Sequence, residues 1–227
     1  MSHNPFGTAS AGAEPGPVLL VGAGGLAREV VPLLAEQGNP IVGVLDDRHA
    51  SLPAHVGGVP VLGPLDAVLE APHAHLVVTV GSSTARRIVV RRLLDLDVAP
   101  DRFATVVDPT VRNPGRCRIG RGTILLAGVT ITADATLGDH VVAMPGVTIT
   151  HDCVVGDFAT FAAGVSLGGA CIVGEGAYLG MNSSVRQGVT VGAASTVGMG
   201  AVVLADVPPG ETWVGVPARP LPTAMAE

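Results

Sequence analysis

The stretch Val147-Thr148-Ile149-Thr150-His151-Asp152-Cys153-Val154-Val155-Gly156-Asp157-Phe158-Ala159-Thr160-Phe161 returns a large apolar residue every six positions, at Ile149, Val155 and Phe161. Steps of six in both directions extend the row: Ile119, Leu125, Ile131, Leu137, Ala143, then Leu167, Val173, Leu179, Val185, Val191, Val197 and Val203. Ala143 is its one small member. Four residues after each lies a second row, from Thr123 and Val129 through Cys153 and Cys171 to Val207, small or β-branched throughout. Glycine follows the large residue at Gly120, Gly138, Gly156, Gly168, Gly174, Gly180, Gly192 and Gly198. A period of six suits neither a 3.6-residue helix nor a hairpin series. It predicts a coil of short parallel strands, with the large residue filling a prism and the small one fitting its corner. Glycine is expected to take the turn conformations that other residues resist. Three hexads make one coil, and coils stack about 4.8 Å apart by backbone hydrogen bonds. Val107 and Val111 place the start slightly earlier, so residues 103–227 form one domain that ends in a short tail.

Residues 1–16 are small, polar and rich in glycine and proline, and predict a disordered tail. Residues 17–102 alternate strand and helix. Val18–Val21 is a strand run, then comes a Gly22-Ala23-Gly24-Gly25 turn and a helix from Leu26 to about Gln37, with Pro32 inside it. Ile41–Leu45 is a strand ending in Asp46-Asp47, and Val59–Leu62 is a further short strand. Leu65–Glu70 reads as helix, His75–Val80 as a strand into Gly81, and Ser83–Leu96 as helix. The alternation predicts a small Rossmann-like parallel α/β domain. The glycine turn is either a phosphate cradle or a plain strand–helix turn. Asp46 lies where a dinucleotide fold keeps its ribose-binding acid, but the domain is half the usual size, which favours a mononucleotide or nucleotide sugar. Arg86, Arg87, Arg91 and Arg92 read as a solvated helix side, with Arg86 alternatively reaching a substrate phosphate.

A hydrophobic fraction of 48% supports a buried core, and a net charge of −6 argues against a partner that tracks phosphate backbones. Six aromatic residues give no base-stacking platform. Mean hydropathy is +0.50, yet no run reaches the roughly 18 apolar residues of a spanning helix. No secretory pattern is visible near Met1, so a soluble, cytoplasmic chain is expected. Every one of the 13 basic residues is arginine, which removes lysine chemistry. Cys117, Cys153 and Cys171 show no metal or redox spacing and are expected to be reduced; Cys153 and Cys171 belong to the packing row, against an acyl-cysteine intermediate.

The hexad pattern over 107–219 resembles the left-handed parallel β-helix of bacterial hexapeptide-repeat acyltransferases. That resemblance implies a homotrimer with active sites between neighbouring prisms. With Gly22-Ala23-Gly24-Gly25-Leu26-Ala27-Arg28-Glu29-Val30, Asp46-Asp47 and Val80-Gly81-Ser82-Ser83, residues 17–219 resemble the bacterial sialic-acid O-acetyltransferase-like group. This group includes the UDP-4-amino-sugar N-acetyltransferases. The resemblance implies an acetyl-CoA-dependent transferase without a metal, acting on a nucleotide-linked amino sugar in glycan biosynthesis. It places Gly24, Gly25, Asp46, Asp47 and Gly81 at the nucleotide sugar. Gly169 and Met181 fall near the thioester and pantetheine arm, and Arg219 near a phosphate of coenzyme A or in solvent. Many members carry a histidine where this chain has Leu26, and often a second one nine residues after the base, near the acetyl group, where it has Thr160. Thr160 is expected to bind the cofactor there by donating a hydrogen bond, without acting as a base.

Acetyl transfer needs a base to take the acceptor's proton, because a protonated amine cannot attack. His3, His49, His55, His73 and His75 fall in the tail, in a loop or at strand borders, leaving His140 and His151 in the prism. His151 is the third residue of its hexad, an outward corner position, and Asp152 can bond the imidazole and fix its tautomer. The pair matches the family's base motif, and Asp134 lies one coil below Asp152. His151 is thus the expected base, in direct attack on the thioester. O-acetylation of a sugar hydroxyl and a non-catalytic nucleotide-sugar-binding trimer are the alternatives. A zinc carbonic anhydrase on the same prism needs three converging histidines, which two at different corners do not supply.

Overall fold

The structure, a computed structural model, describes residues 16–114 and 116–221; all but Gly16 of the expected tail lies outside the described residues. The chain divides into two compact units, one reaching Val106 and including Arg121–Thr123, the other holding Val107–Gly120 and the rest.

In the first unit the elements are β1 (Val18–Val21), α1 (Gly25–Glu36), β2 (Ile41–Leu45), β3 (His55–Val56), β4 (Val59–Gly63), β5 (His75–Val78) and α2 (Ser83–Asp95). The sheet order is β3-β4-β2-β1-β5. Strands β4, β2, β1 and β5 run parallel, as the alternation predicted. The expected all-parallel sheet is corrected at its edge, where β3 and β4 form an antiparallel hairpin. Gly57 and Gly58, at φ 58° and 83°, supply the two left-handed residues of its turn. Both faces of β1 are packed: Val18, Leu19, Leu20 and Val21 are all buried, as parallel strands covered on two sides require. Pro32 lies in the interior of α1, well past the first turn that tolerates it most easily.

The second unit is a left-handed parallel β-helix of three sheets. From Arg118 to Val203 its strands are two residues long, and successive strands on one face pair in parallel 18 residues apart, as in Leu137↔Val155, Ala143↔Phe161 and Ile149↔Leu167. The closing strand Thr212–Val214 has three residues. The large row fills the interior from Leu125 to Val203, with Val129, Cys153, Cys171 and Val207 of the small row buried beside it. Ala143 has its explanation in this register. It stacks directly under Phe161, whose fully buried ring fills the space the alanine leaves.

The role expected for the glycines that follow the large residue is corrected. Left-handed φ recurs every six residues on the residue before each small one, where glycines such as Gly128 (71°), Gly146 (73°) and Gly164 (72°) interleave with Asp134 (51°), His140 (55°), Asp152 (60°), Phe158 (59°) and Ala170 (55°). The glycines that follow the large residue serve close approach instead. A Cβ on Gly174 would come within 2.4 Å of Ala193 N, and one on Gly168 within 2.5 Å of Gln187 N. Coils 18 residues apart touch backbone to backbone there, and any side chain would force them apart. No described helix is long and apolar enough to cross a membrane.

Candidate active site

His151 stands where one coil turns between two faces of the prism. Its strand Thr148–Ile149 ends, Asp152 takes the left-handed turn, and Cys153 dips back into the interior. The side chains of His151 and Asp152 are each 62% exposed, and Nδ1 lies 2.7 Å from Asp152 Oδ2. A carboxylate only accepts, so the hydrogen bond puts the proton on Nδ1 and leaves the Nε2 lone pair clear of the carboxylate. That is the tautomer a general base requires.

Gly169 lies one coil above His151, against the imidazole, and is brought together with it. Met181 is half exposed but belongs to a different corner, the column that continues with Met199. Arg219 sits in the closing hairpin, where Arg219–Pro220 pairs with Thr212–Val214, and its Nη1 donates to Ala218 O at 2.8 Å. Thr160 is only 2% exposed, so its hydroxyl is not presented at the surface of the chain. His140 is 5% exposed at a third corner, its ring stacked on Phe158 at 5.1 Å between centroids. Cys153 and Cys171 are fully buried; their mutual hydrogen bond pushes the Cys153 thiol up and draws the Cys171 thiol down to about 7, and it is burial in the prism that keeps both sulfurs from a substrate. Asp134 faces Arg116 at 3.9 Å.

The sequence-predicted nucleotide residues gather at the carboxyl edge of the α/β sheet, where open sheets bind ligands. Strand β1 is the switch point, with β2 on one side and β5 on the other. A cleft of about 260 Å³ opens there, lined by Val21, Gly22, Leu45, Asp46, Asp47, Arg48, Leu65, Val80 and Val89. Gly24, Gly25 and Gly81 border open space, with no atom close enough to crowd an added Cβ. Asp46 Oδ2 accepts from Ala23 N at 3.0 Å and so staples the glycine turn to the end of β2, while Oδ1 accepts from Arg48 N at 2.9 Å and Nε at 3.2 Å. Burial would raise the Asp46 carboxyl, but the Arg48 guanidinium and the two amides outweigh it and hold it below the usual range. Asp47 is also held low, first by the Leu65 amide and then by Arg92, which pairs with it.

Two residues differ from expectation. Arg86 does not face solvent: it is fully buried, donating from Nη1 to Val80 O at 2.8 Å and Gly81 O at 3.1 Å. It holds the β5–α2 turn, and burial brings its pKa down to about 10, so it stays charged at neutral pH. Leu26 is buried in α1, so position 26 sends no side chain into the cleft. Arg48 is the cleft residue that sequence reasoning missed; its place directly after Asp46-Asp47 was the available signal.

Residues 17–93 match the PglD N-terminal domain, and residues 134–169 match the bacterial transferase hexapeptide (six repeats). Comparison with curated proteins gives no match. Among solved structures, a histidine-to-alanine mutant of GDP-perosamine N-acetyltransferase from Caulobacter crescentus, in complex with CoA and GDP-perosamine, is 31% identical with a TM-score of 0.83; the match covers 93% of this chain and 99% of that one. The acetyltransferase domain of PglB from Neisseria gonorrhoeae, in complex with acetyl coenzyme A, is 31% identical with a TM-score of 0.82, over 92% and 100% of the two chains. WeeI from Acinetobacter baumannii is 28% identical with a TM-score of 0.75, over 91% and 100%. With a PglD-type N-terminal domain, hexapeptide coils and end-to-end similarity to these enzymes, the chain belongs to the hexapeptide-repeat sugar N-acetyltransferases.

Proposed function

We propose that this enzyme transfers the acetyl group of acetyl-CoA to the amine of a nucleotide-linked amino sugar, with His151 as general base. The observation that carries the proposal is the His151–Asp152 pair, exposed at a coil corner with Nε2 free of the carboxylate. The amine attacks the thioester carbonyl directly. As the N–C bond forms, Nε2 takes the proton the amine loses; as the C–S bond breaks, the imidazolium returns that proton to the departing sulfur. Asp152 keeps Nδ1 bonded throughout and stabilises the charged ring. Similarity to enzymes named as N-acetyltransferases favours the amine over a hydroxyl as acceptor.

The enzyme works as a homotrimer in this proposal. Val154 and Ile172, about half exposed, stack on the flat face that follows the His151 corner and offer an apolar patch for a second prism. Coenzyme A then lies between prisms, with the His151–Gly169 corner on one side and the Met181 corner supplied by the neighbour, and Arg219 near its phosphates.

The cleft at Asp46 and Asp47 takes the nucleotide sugar, with Gly24, Gly25 and Gly81 allowing close approach. The Arg48 side chain is 70% exposed, and its swing aside opens one acceptor position on Asp46 Oδ1 for a ligand hydroxyl, while the bond from the Arg48 amide remains. Replacing both aspartates by alanine removes charged hydrogen-bond acceptors worth about 1.5–3 kcal/mol each. The Michaelis constant for the nucleotide sugar is expected to rise roughly tenfold or more, with that for acetyl-CoA nearly unchanged. Equal damage to both constants would place the nucleotide sugar elsewhere.

A further inference from the structure

We infer that Gly169 is a positioning residue, whose missing side chain is the space in which the His151 imidazole lies. The inference rests on His151 being the base and explains what holds the ring in its working place.

The corner column that contains His151 runs Ala133, His151, Gly169, Gln187, one residue per coil. Backbone hydrogen bonds fix its register: Asp152 N donates to Ala133 O at 3.0 Å, Ala170 N to His151 O at 2.8 Å, and Gly188 N to Gly169 O at 2.9 Å. Alanine and glutamine occupy this column in other coils, so its backbone accepts a Cβ. Gly169 itself lies outside the left-handed region and needs no glycine for its conformation. Yet a Cβ there would stand 2.4 Å from His151 Cε1, 2.5 Å from Nε2 and 3.1 Å from Nδ1. All three atoms belong to the imidazole, and contacts below 3 Å do not persist.

Adjacent Gly168 makes the contrast. Its Cβ would strike the backbone at Gln187 N, so that glycine serves coil stacking. At Gly169 the obstacle is a side chain, half exposed and able to move. An alanine there leaves the prism intact and drives the ring away from both Gly169 and Asp152, displacing Nε2 from its aim at the acceptor. Misplacing a catalytic group by about 1 Å can cost 10²-fold in rate.

The test is a cycle of four proteins: the wild type, Gly169→Ala, His151→Ala and the double variant. Turnover is read by thiol release from acetyl-CoA with GDP-perosamine and a UDP-4-amino sugar as acceptors, alongside thermal unfolding. Gly169→Ala is expected to keep the wild-type unfolding temperature and to lower kcat by about 10–10²-fold. In the His151→Ala background the same change should have no further effect, because the group it displaces is gone. An equal loss in both backgrounds would mean that position 169 acts on the substrates directly, and no loss in the wild-type background would mean that the ring tolerates the methyl; either overturns the inference. If His151→Ala alone kept full turnover, the base assignment would fail instead. Independently of any acceptor, NMR with 13Cε1-labelled histidine should give a nuclear Overhauser contact between His151 Hε1 and the Gly169 α-protons. Gly169→Ala should weaken the contact to the position-169 backbone. Its absence from the wild type, or an unchanged intensity in the variant, contradicts the placement.

Discussion

Replacement of His151 by alanine is expected to lower turnover by about 10²–10⁴-fold, the usual contribution of a positioned general base. Acetyl-CoA binding should survive, because nothing in the groove backbone depends on the imidazole. Asp152→Asn should cost less, since the base remains in place but loses the negative charge that stabilises the imidazolium, and the amide can turn a donor as well as an acceptor toward Nδ1. His140 provides the control: its ring is buried against Phe158 at another corner, and its replacement should leave the chemical step near the wild-type rate. Steady-state kinetics with both substrates saturating separate these cases. Near-normal turnover in His151→Ala together with an inactive His140→Ala variant would put the base at the wrong corner.

The largest effect on stability is expected at Phe161. Its ring is fully buried and compensates for Ala143 one coil below, so Phe161→Ala places two alanines in succession on one inner face. A coil stack cannot collapse around such a gap without breaking the hydrogen bonds of its neighbours. The loss should fall in the 3–5 kcal/mol range typical of buried phenylalanine truncation, measured by urea unfolding. A loss below about 1 kcal/mol would show that the coils relax into the cavity.

The β-helix was legible because its period is a direct consequence of its geometry: one inward residue per face repeats every six positions. The glycines were legible in part. Those just before a small-row residue, such as Gly128 and Gly146, take the left-handed turn. Those just after the large residue, such as Gly168 and Gly174, meet the backbone of the coil 18 residues on, a neighbour that spacing along one coil does not reveal. In the α/β domain the missed hairpin did carry a local sign, Gly57-Gly58 between two short β-formers. Arg86 carried one too. With Val90 and Leu93 it shares the i, i+4, i+7 stripe that α2 buries, while Arg87, Arg91 and Arg92 face solvent. Charge alone suggested a surface side chain, but the turn at Val80 and Gly81 offered two carbonyl acceptors inside. The His151–Asp152 pair was readable from sequence, because adjacent corner residues stay adjacent in space. The clearance over its ring was not, since Gly169 meets it only through the stacking of coils.

The measurement that bears most directly on the whole account is product analysis after incubation with acetyl-CoA and a panel of GDP-, UDP- and dTDP-linked amino sugars. Free thiol would be followed against time, and the product examined by mass spectrometry and NMR. The account predicts thiol release that depends on a nucleotide-linked amino sugar, stoichiometric with a product acetylated on nitrogen. It predicts none with the corresponding sugar that carries a hydroxyl in place of the amine. Thiol release with no nucleotide-linked amino sugar, or an acetyl group found on oxygen, would contradict it.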